Sequence, residues 1–297
     1  MKRTLLLLAA ALCLMSCATR KAPRMVIIGL DGLGSAYMDT LRIPVMRSLM
    51  AEGTYCLHKR SVLPSASAIN WASIFNGLPT EIHGYTRWNS QGPDIPCAYQ
   101  TERGLPPTLF TICREQRPDA RIIALYEWDG VKYCLDTLAF DEHRCVAPGK
   151  ADNERTTDEV IACLTRERPD LFYVHYDSPD HEGHGDGFGS KAYCDKVELL
   201  DGYVGRIIDA LKEAGMYDDT VIVIVSDHGG QIRSHGKASV EELEAPIIIA
   251  GPGVRKGYEI PAPMLQYDVT PTLARILGLQ TPDFWRGRAA DTSPAGR

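Results

Sequence analysis

Five short runs of aliphatic and β-branched residues, each stopping at glycine or a polar residue, constrain this chain most: MVIIGLDG (25–32), RIIALYEW (121–128), DLFYVHYD (170–177), TVIVIVSDHGG (220–230) and PIIIAGPG (246–253). They are nearly continuous rather than alternating, which is the pattern of strands buried on both faces. Helical patterns lie around and between them, over 43–53, 156–168, 197–215 and 269–278. Such alternation predicts an α/β fold with a mostly parallel central sheet and helices on both faces. Residues 86–120 and 129–155 are less regular and rich in Pro, Gly and polar residues, so a small lid is expected within 86–155.

The ends of the chain read differently. Two basic residues, an apolar stretch from Leu5 to Leu14 and a small-residue ending have the layout of a secretory signal, too short to span a bilayer comfortably. Leu14-Met15-Ser16-Cys17 resembles a bacterial lipobox, with Cys17 lipidated and tethering the mature chain to a membrane. The expected organisation is a signal over 1–16, a tether over 17–24, one α/β domain over 25–285 and a tail over 286–297, exported and facing the periplasm or cell surface. A hydrophobic content of 44% supports a large core, and a formal charge of −6 without a basic block argues against a nucleic-acid scaffold. Seven of the nine cysteines lie beyond Cys17 with no C-x-x-C spacing, so a thiolate zinc site is not expected, although a Cys134–Cys145 disulfide is admissible. The oligomeric state is not legible.

In open α/β sheets, ligands gather outside the carboxyl ends of the strands. Asp31 ends the first run, Asp180 follows the third, and Asp227 with His228 ends the fourth. Each alone also suits a turn or helix cap. In SPDHEGHGDG (178–187) the glycines argue against a helix, placing Asp180 and His184 on a loop where His181 and Glu182 are rival ligands. His235 stands in RSHGKAS, by itself an ordinary surface histidine. Together, oxygen and imidazole ligands without thiolates suit zinc, or less selectively another divalent transition metal such as manganese or iron. There are enough for two ions, one on Asp31, Asp227 and His228 and the other on Asp180, His184 and His235.

The ordered set LDG, a Ser/Thr followed three residues later by Asn, PDxxGH, SDHGG and a later HG resembles the alkaline phosphatase superfamily, specifically its nucleotide pyrophosphatase/phosphodiesterase branch. The resemblance runs from Met25 to about Leu279 and closes on QYDVTPTLARILGL. It implies an alkaline phosphatase-like metallohydrolase domain with two zinc ions, a small-molecule phosphoester substrate and a covalent phosphoseryl intermediate. By the same likeness Ser67 joins Asp31, Asp227 and His228 on the ion that activates it. Among the serines of LPSASAINWAS (63–73), only Ser67 has Asn at the family's offset, namely Asn70. A helix beginning near Ser67 would turn its free amides and positive end toward an alkoxide, with the Asn70 amide one turn on as the oxyanion stabiliser. Ser65 reads as the helix cap and Ser73 as a packing residue.

Substrate class is partly bounded. Sulfatases of the superfamily carry C/S-x-P-x-R at the nucleophile, whereas SASAI has neither Pro nor Arg. Alkaline phosphatases present Arg to a dianionic monoester, and none lies near Ser67 in sequence; a neutral Asn70 suits a monoanionic diester better. A phosphodiesterase or pyrophosphatase is therefore favoured, with a phosphomonoesterase, phosphonate hydrolase, sulfuryl hydrolase or inactive binding lipoprotein as alternatives. Ala68 stands where nucleotide-cleaving relatives carry a base-stacking Phe, so a nucleotide is one option among diesters.

Overall fold

A computed structural model describes residues 22–146, 148, 151–261 and 263–294. The expected signal, Cys17 and most of the tether lie outside the described residues. In chain order the main elements are β1 (Arg24–Leu30), α1 (Pro44–Glu52), β2 (Gly53–Arg60), α2 (Ser67–Asn76), α3 (Leu109–Gln116), β3 (Ile122–Tyr126), β4 (Glu142–Cys145), α4 (Asn153–Glu167), β5 (Leu171–Tyr176), α5 (Asp180–Asp186), α6 (Lys191–Glu213), β6 (Thr220–Val225), β7 (Glu244–Ala250), β8 (Tyr258–Glu259), β9 (Met264–Leu265) and α7 (Val269–Leu277).

One nine-stranded sheet runs β4-β3-β5-β1-β6-β7-β2-β8, with β9 also pairing β2. The five strands from β4 to β6 are parallel, while β7 is antiparallel to both neighbours. Successive residues of β1 feed opposite faces. Met25 and Ile27 join a core with α2, α3 and α7, and Val26, Ile28 and Leu30 join one with α1, α4 and α6. Both faces are thus covered, which explains the uninterrupted apolar runs. Each fully buried aliphatic side chain contributes about 1.5–3 kcal/mol.

The sequence pattern and the structure part in four places. GTYCLHKR forms β2, which the pattern missed because Tyr55, His58, Lys59 and Arg60 break its apolar run. Residues 180–186 are helix, not loop: a Cβ on Gly183 would meet the Phe188 ring at 2.6 Å, so this glycine admits a neighbour rather than ending the helix. Within the irregular stretches, α3 packs on one face of the sheet and β4 forms its edge, leaving 86–108 without helix or strand. Cys134 and Cys145 do not pair with each other: their Sγ atoms are directed at the carbonyls of Ala68 and Glu127 respectively.

Candidate active site

Parallel pairing builds the base of the site. Gly29 is opposite Val225 on β6 and Leu30 is opposite Tyr176 on β5, so Asp31, Asp177 and Asp227 leave three adjacent strand ends side by side. Asp31 N donates to Tyr176 O at 3.0 Å, and Asp180 N donates to Asp31 O at 3.0 Å. That return brings α5 against the turn after β1. A Cβ on Gly32 would lie 2.7 Å from Asp180 Cβ, and its φ of +71° already favours glycine, which is the physical content of the LDG motif.

Asp31 and Asp227 are buried, and each is oriented by one oxygen. Asp31 Oδ2 accepts from Trp71 Nε1 (2.9 Å) and lies 3.1 Å from His175 Nε2, and Asp227 Oδ1 accepts from Gly32 N (3.1 Å). Their other oxygens, Asp31 Oδ1 and Asp227 Oδ2, are buried with no hydrogen-bond partner among the described residues, as is Asp180 Oδ1.

The three histidines share a complementary arrangement. Nδ1 of His228, His184 and His235 lies 2.9, 3.0 and 2.9 Å from the carbonyls of Gly229, Arg233 and Ser65. A carbonyl only accepts, so each Nδ1 carries a proton and each ring, when neutral, presents the Nε2 lone pair inward. His228 Nε2 lies 3.2 Å from Asp227 Oδ2 and 3.7 Å from Asp31 Oδ1. His184 Nε2 lies 3.0 Å from His235 Nε2 and 3.3 Å from Asp180 Oδ2. Lone pairs facing lone pairs at these distances require a shared proton or a cation.

The protonation balance shows the same strain. Burial would raise Asp31, but the hydrogen bond from His175 and the charge of His228 hold it at about 2. Asp227 moves well upward through burial and the charge of Asp31, and burial raises Asp180 as well. His184 rises to about 9 on its hydrogen bond to Asp180, whereas burial pulls His235 down to about 4 and also lowers His228. Divalent cations would satisfy all three unpartnered carboxylate oxygens and all three Nε2 atoms. The residues therefore fit metal binding, in two overlapping sets: Asp31, Asp227 and His228, and Asp180, His228 and His235. The structure also places His184 beside the second set. Its shared member, His228, stacks on His235 with ring centroids 3.8 Å apart.

Ser67 opens α2, and its Oγ lies 3.2 Å from His228 Nε2. The other helix-start residues differ from expectation. Asn70 does not face the site as an oxyanion donor: its Nδ2 is within 3.1–3.2 Å of the carbonyls of Val62, Pro64 and Ala66, and its Oδ1 accepts from Val62 N at 2.8 Å. Its whole amide is occupied in bracing the loop that delivers Ser67. Nor does Ser65 cap α2, whose cap residue is Ala66. Ser65 Oγ instead donates toward Lys237 O (2.6 Å) and Glu242 Oε2 (3.1 Å), pinning the His235 loop. Ser73 packs as expected and bonds Leu78 O. One amide of the helix start is already taken, because Ala68 N donates to Trp88 O at 3.1 Å; Ala68 itself is fully buried, so position 68 is closed to a stacking partner. His181 is exposed and Glu182 pairs with Lys196 at 3.1 Å, away from the histidine cluster.

Sequence reading gave no role to His175, Trp71, Asp177, Lys59 or Gln266. Asp177 follows β5 directly, and burial together with Asp31 pushes it up to about 7. The first two look like core residues in sequence, and no spacing rule marks a side chain that acts by orienting another.

The family profile described as type I phosphodiesterase / nucleotide pyrophosphatase matches residues 25–245. The chain is 26% identical over 224 residues to ectonucleotide pyrophosphatase/phosphodiesterase family member 1 of Rattus norvegicus, covering 70% of this chain and 24% of that protein. It is 24% identical over 220 residues to the bis(5'-adenosyl)-triphosphatase of Mus musculus, covering 70% of this chain and 47% of the relative. The chain thus spans about a quarter to about a half of the length of these relatives. In structure it is similar to murine ectonucleotide pyrophosphatase/phosphodiesterase 5, with a TM-score of 0.73 at 15% identity over 87% of this chain and 96% of the other. It is also similar to a 2-O GAG sulfatase, with a TM-score of 0.71 at 15% identity over 90% and 73%. These likenesses show the alkaline phosphatase-like fold.

Proposed function

The chain belongs to the type I phosphodiesterase/nucleotide pyrophosphatase family of the alkaline phosphatase superfamily, and on that premise we propose that it is an exported, zinc-dependent hydrolase of phosphodiesters or pyrophosphates with Ser67 as nucleophile. One observation carries the reading: the Ser67 hydroxyl, at the start of α2, stands 3.2 Å from an inward-facing His228 Nε2, beside buried carboxylate oxygens that lack partners. Asp31, Asp227 and His228, with Ser67, would hold one ion, and Asp180, His184 and His235 the other. Bound zinc supplies Lewis acidity, favouring the ionised Ser67 hydroxyl and the departing oxygen.

The chain's own residues do the rest. Trp71 and His175 fix the Asp31 carboxylate, and Gly32 N fixes that of Asp227, so their free oxygens converge without reorganisation. The Asn70 amide holds residues 62–66 and thereby the position of Ser67 Oγ. Ser67 Oγ bonds to phosphorus as the ester oxygen leaves, giving a phosphoserine that water then hydrolyses. The partial positive end of α2 favours the anionic form of the nucleophile. The lipid anchor at Cys17 and the facing toward the periplasm or cell surface are part of the same proposal.

The test is a zinc-supplemented comparison of a bis-aryl phosphodiester, an aryl phosphomonoester, an aryl sulfate and a nucleoside-monophosphate aryl ester. Preference for a diester supports the reading, and the nucleoside ester measures how much a base adds. Preference for the monoester or the sulfate overturns it. Absence of bound zinc, with no rescue on adding it, points instead to a binding lipoprotein.

A further inference from the structure

Lys59 is a fully buried lysine on β2, and neither the hydrolytic step nor the metal ligands use it. Lysine is almost never fully buried unless paired, because an ammonium in an apolar interior is costly. Yet no carboxylate lies within ion-pair distance of Lys59 among the described residues. Its Nζ donates instead to Ser226 O at 2.9 Å and to Gln266 Oε1. Gln266 Nε2 in turn donates to Asp227 O at 2.6 Å, and Ser61 Oγ donates to the same carbonyl at 2.6 Å. The ammonium is therefore tied, directly and through Gln266, to the backbone that carries Asp227 and His228.

Hydrogen bonding to two carbonyl-type oxygens would be met by a neutral donor, and filling the space by methionine. What only a lysine adds is charge. Asp227, which converges with Asp31 on His228, is the charge that acts most strongly on Lys59, opposing the burial that draws its pKa down to about 7.

We propose that Lys59 is a buried charge-bearing group in the wall of the metal centre, holding the 226–228 peptide through Ser226 and Gln266 and offsetting the charge of Asp227 while no metal is bound. The proposal rests on the metal reading of the site. It carries an unusual sign, because a cation that steadies the empty carboxylate also repels an incoming divalent ion. Neutralising Lys59 should therefore weaken the metal-free protein and tighten metal binding together.

The experiment compares Lys59→Met with wild type by zinc titration against a chromogenic chelator and by thermal unfolding with and without zinc. The expected result is a lower Tm without metal, a wider Tm gap on adding zinc, and zinc binding tightened by roughly tenfold. Gln266→Leu loosens the same peptide but keeps the charge, so its zinc affinity should be unchanged or weaker. A Lys59→Met chain that folds only with zinc present supports the proposal. A chain that stays unfolded with zinc, binds zinc no more tightly, or shifts in the same direction as Gln266→Leu overturns it. Wild type that binds no zinc overturns the metal reading and this proposal together, whereas wild type that binds zinc beside an unchanged Lys59→Met overturns this proposal alone.

Discussion

The two sets of candidate ligands are built by opposite means. Asp31, Asp227 and His228 stand at or just after the ends of paired strands, with side chains at most 2% exposed and donors from Trp71, Gly32 and His175 on the carboxylate oxygens that face away from the cluster. Asp180, His184 and His235 stand on a seven-residue helix and a loop, and the His184 side chain is 48% exposed. A strand end inherits its position from a whole sheet, whereas a loop ligand is held by a few local bonds such as those from Ser65. The inner set is therefore preorganised, and the outer set is adjustable. That is a sensible division if one ion serves the fixed nucleophile and the other must accommodate departing groups of different shape.

The largest expected effect breaks the inner set at the nucleophile. Ser67→Ala should lower kcat by about 10⁴-fold or more, while Tm of the metal-free protein stays near wild type, because among the described residues the hydroxyl's hydrogen-bond contact is with His228. Ser65→Ala should act through the outer loop instead, raising the zinc needed for half-maximal activity. Full activity in Ser67→Ala beside an inactive Ser65→Ala would reverse the assignment.

A smaller effect sharpens the contrast between the sets. Trp71→Phe keeps the ring packed against Phe75 and Tyr173 but removes the donor to Asp31 Oδ2. Loss of such an orienting bond typically weakens a metal site by about 10–100-fold. The chelator titration should show one ion weakened and the other unchanged. His184→Ala should give the mirror image, with the outer ion lost at limiting zinc and activity restored by excess. If both variants weaken both ions equally, the sets are one cooperative unit and the division fails.

This contrast also marks what the sequence could reveal. Strand ends were legible because buried strands write continuous apolar runs, and a charged residue that stops such a run, as Asp31 and Asp227 do, is placed by the sheet itself. α5 was misread because Gly183 has a packing cause, Phe188, that lies outside any local rule. Asn70 shows the converse limit: spacing placed it correctly beside Ser67, but the direction of its amide depended on where the loop 62–66 would run. β7 was found from its composition, yet nothing in PIIIAGPG records that it runs antiparallel. Orienting residues such as His175 and Lys59 were invisible for a related reason, since their chemistry exists only between segments far apart in sequence.

The smallest effect uses pH to separate the sets. The hydrogen bond with Asp180 raises His184 to about 9 in the metal-free fold, from an ordinary value of 6.5. A group whose pKa rises on folding stabilises the fold in its protonated form. The contribution is full below pH 6.5 and is lost as pH rises toward 9. The Tm of the metal-free protein should thus decline modestly across that window, and His184→Ala should flatten the decline. Zinc on the outer set must displace the same proton from His184 Nε2, since Nδ1 is committed to Arg233 O. Binding should therefore release His184's proton below about pH 9 and lose that release above it. The lowered pKa values of His228 and His235 leave those rings without a proton to give at neutral pH. Calorimetry in two buffers of different ionisation enthalpy measures the release. A proton yield that does not fall toward pH 9, or that persists in His184→Ala, would place the shared proton elsewhere in the cluster.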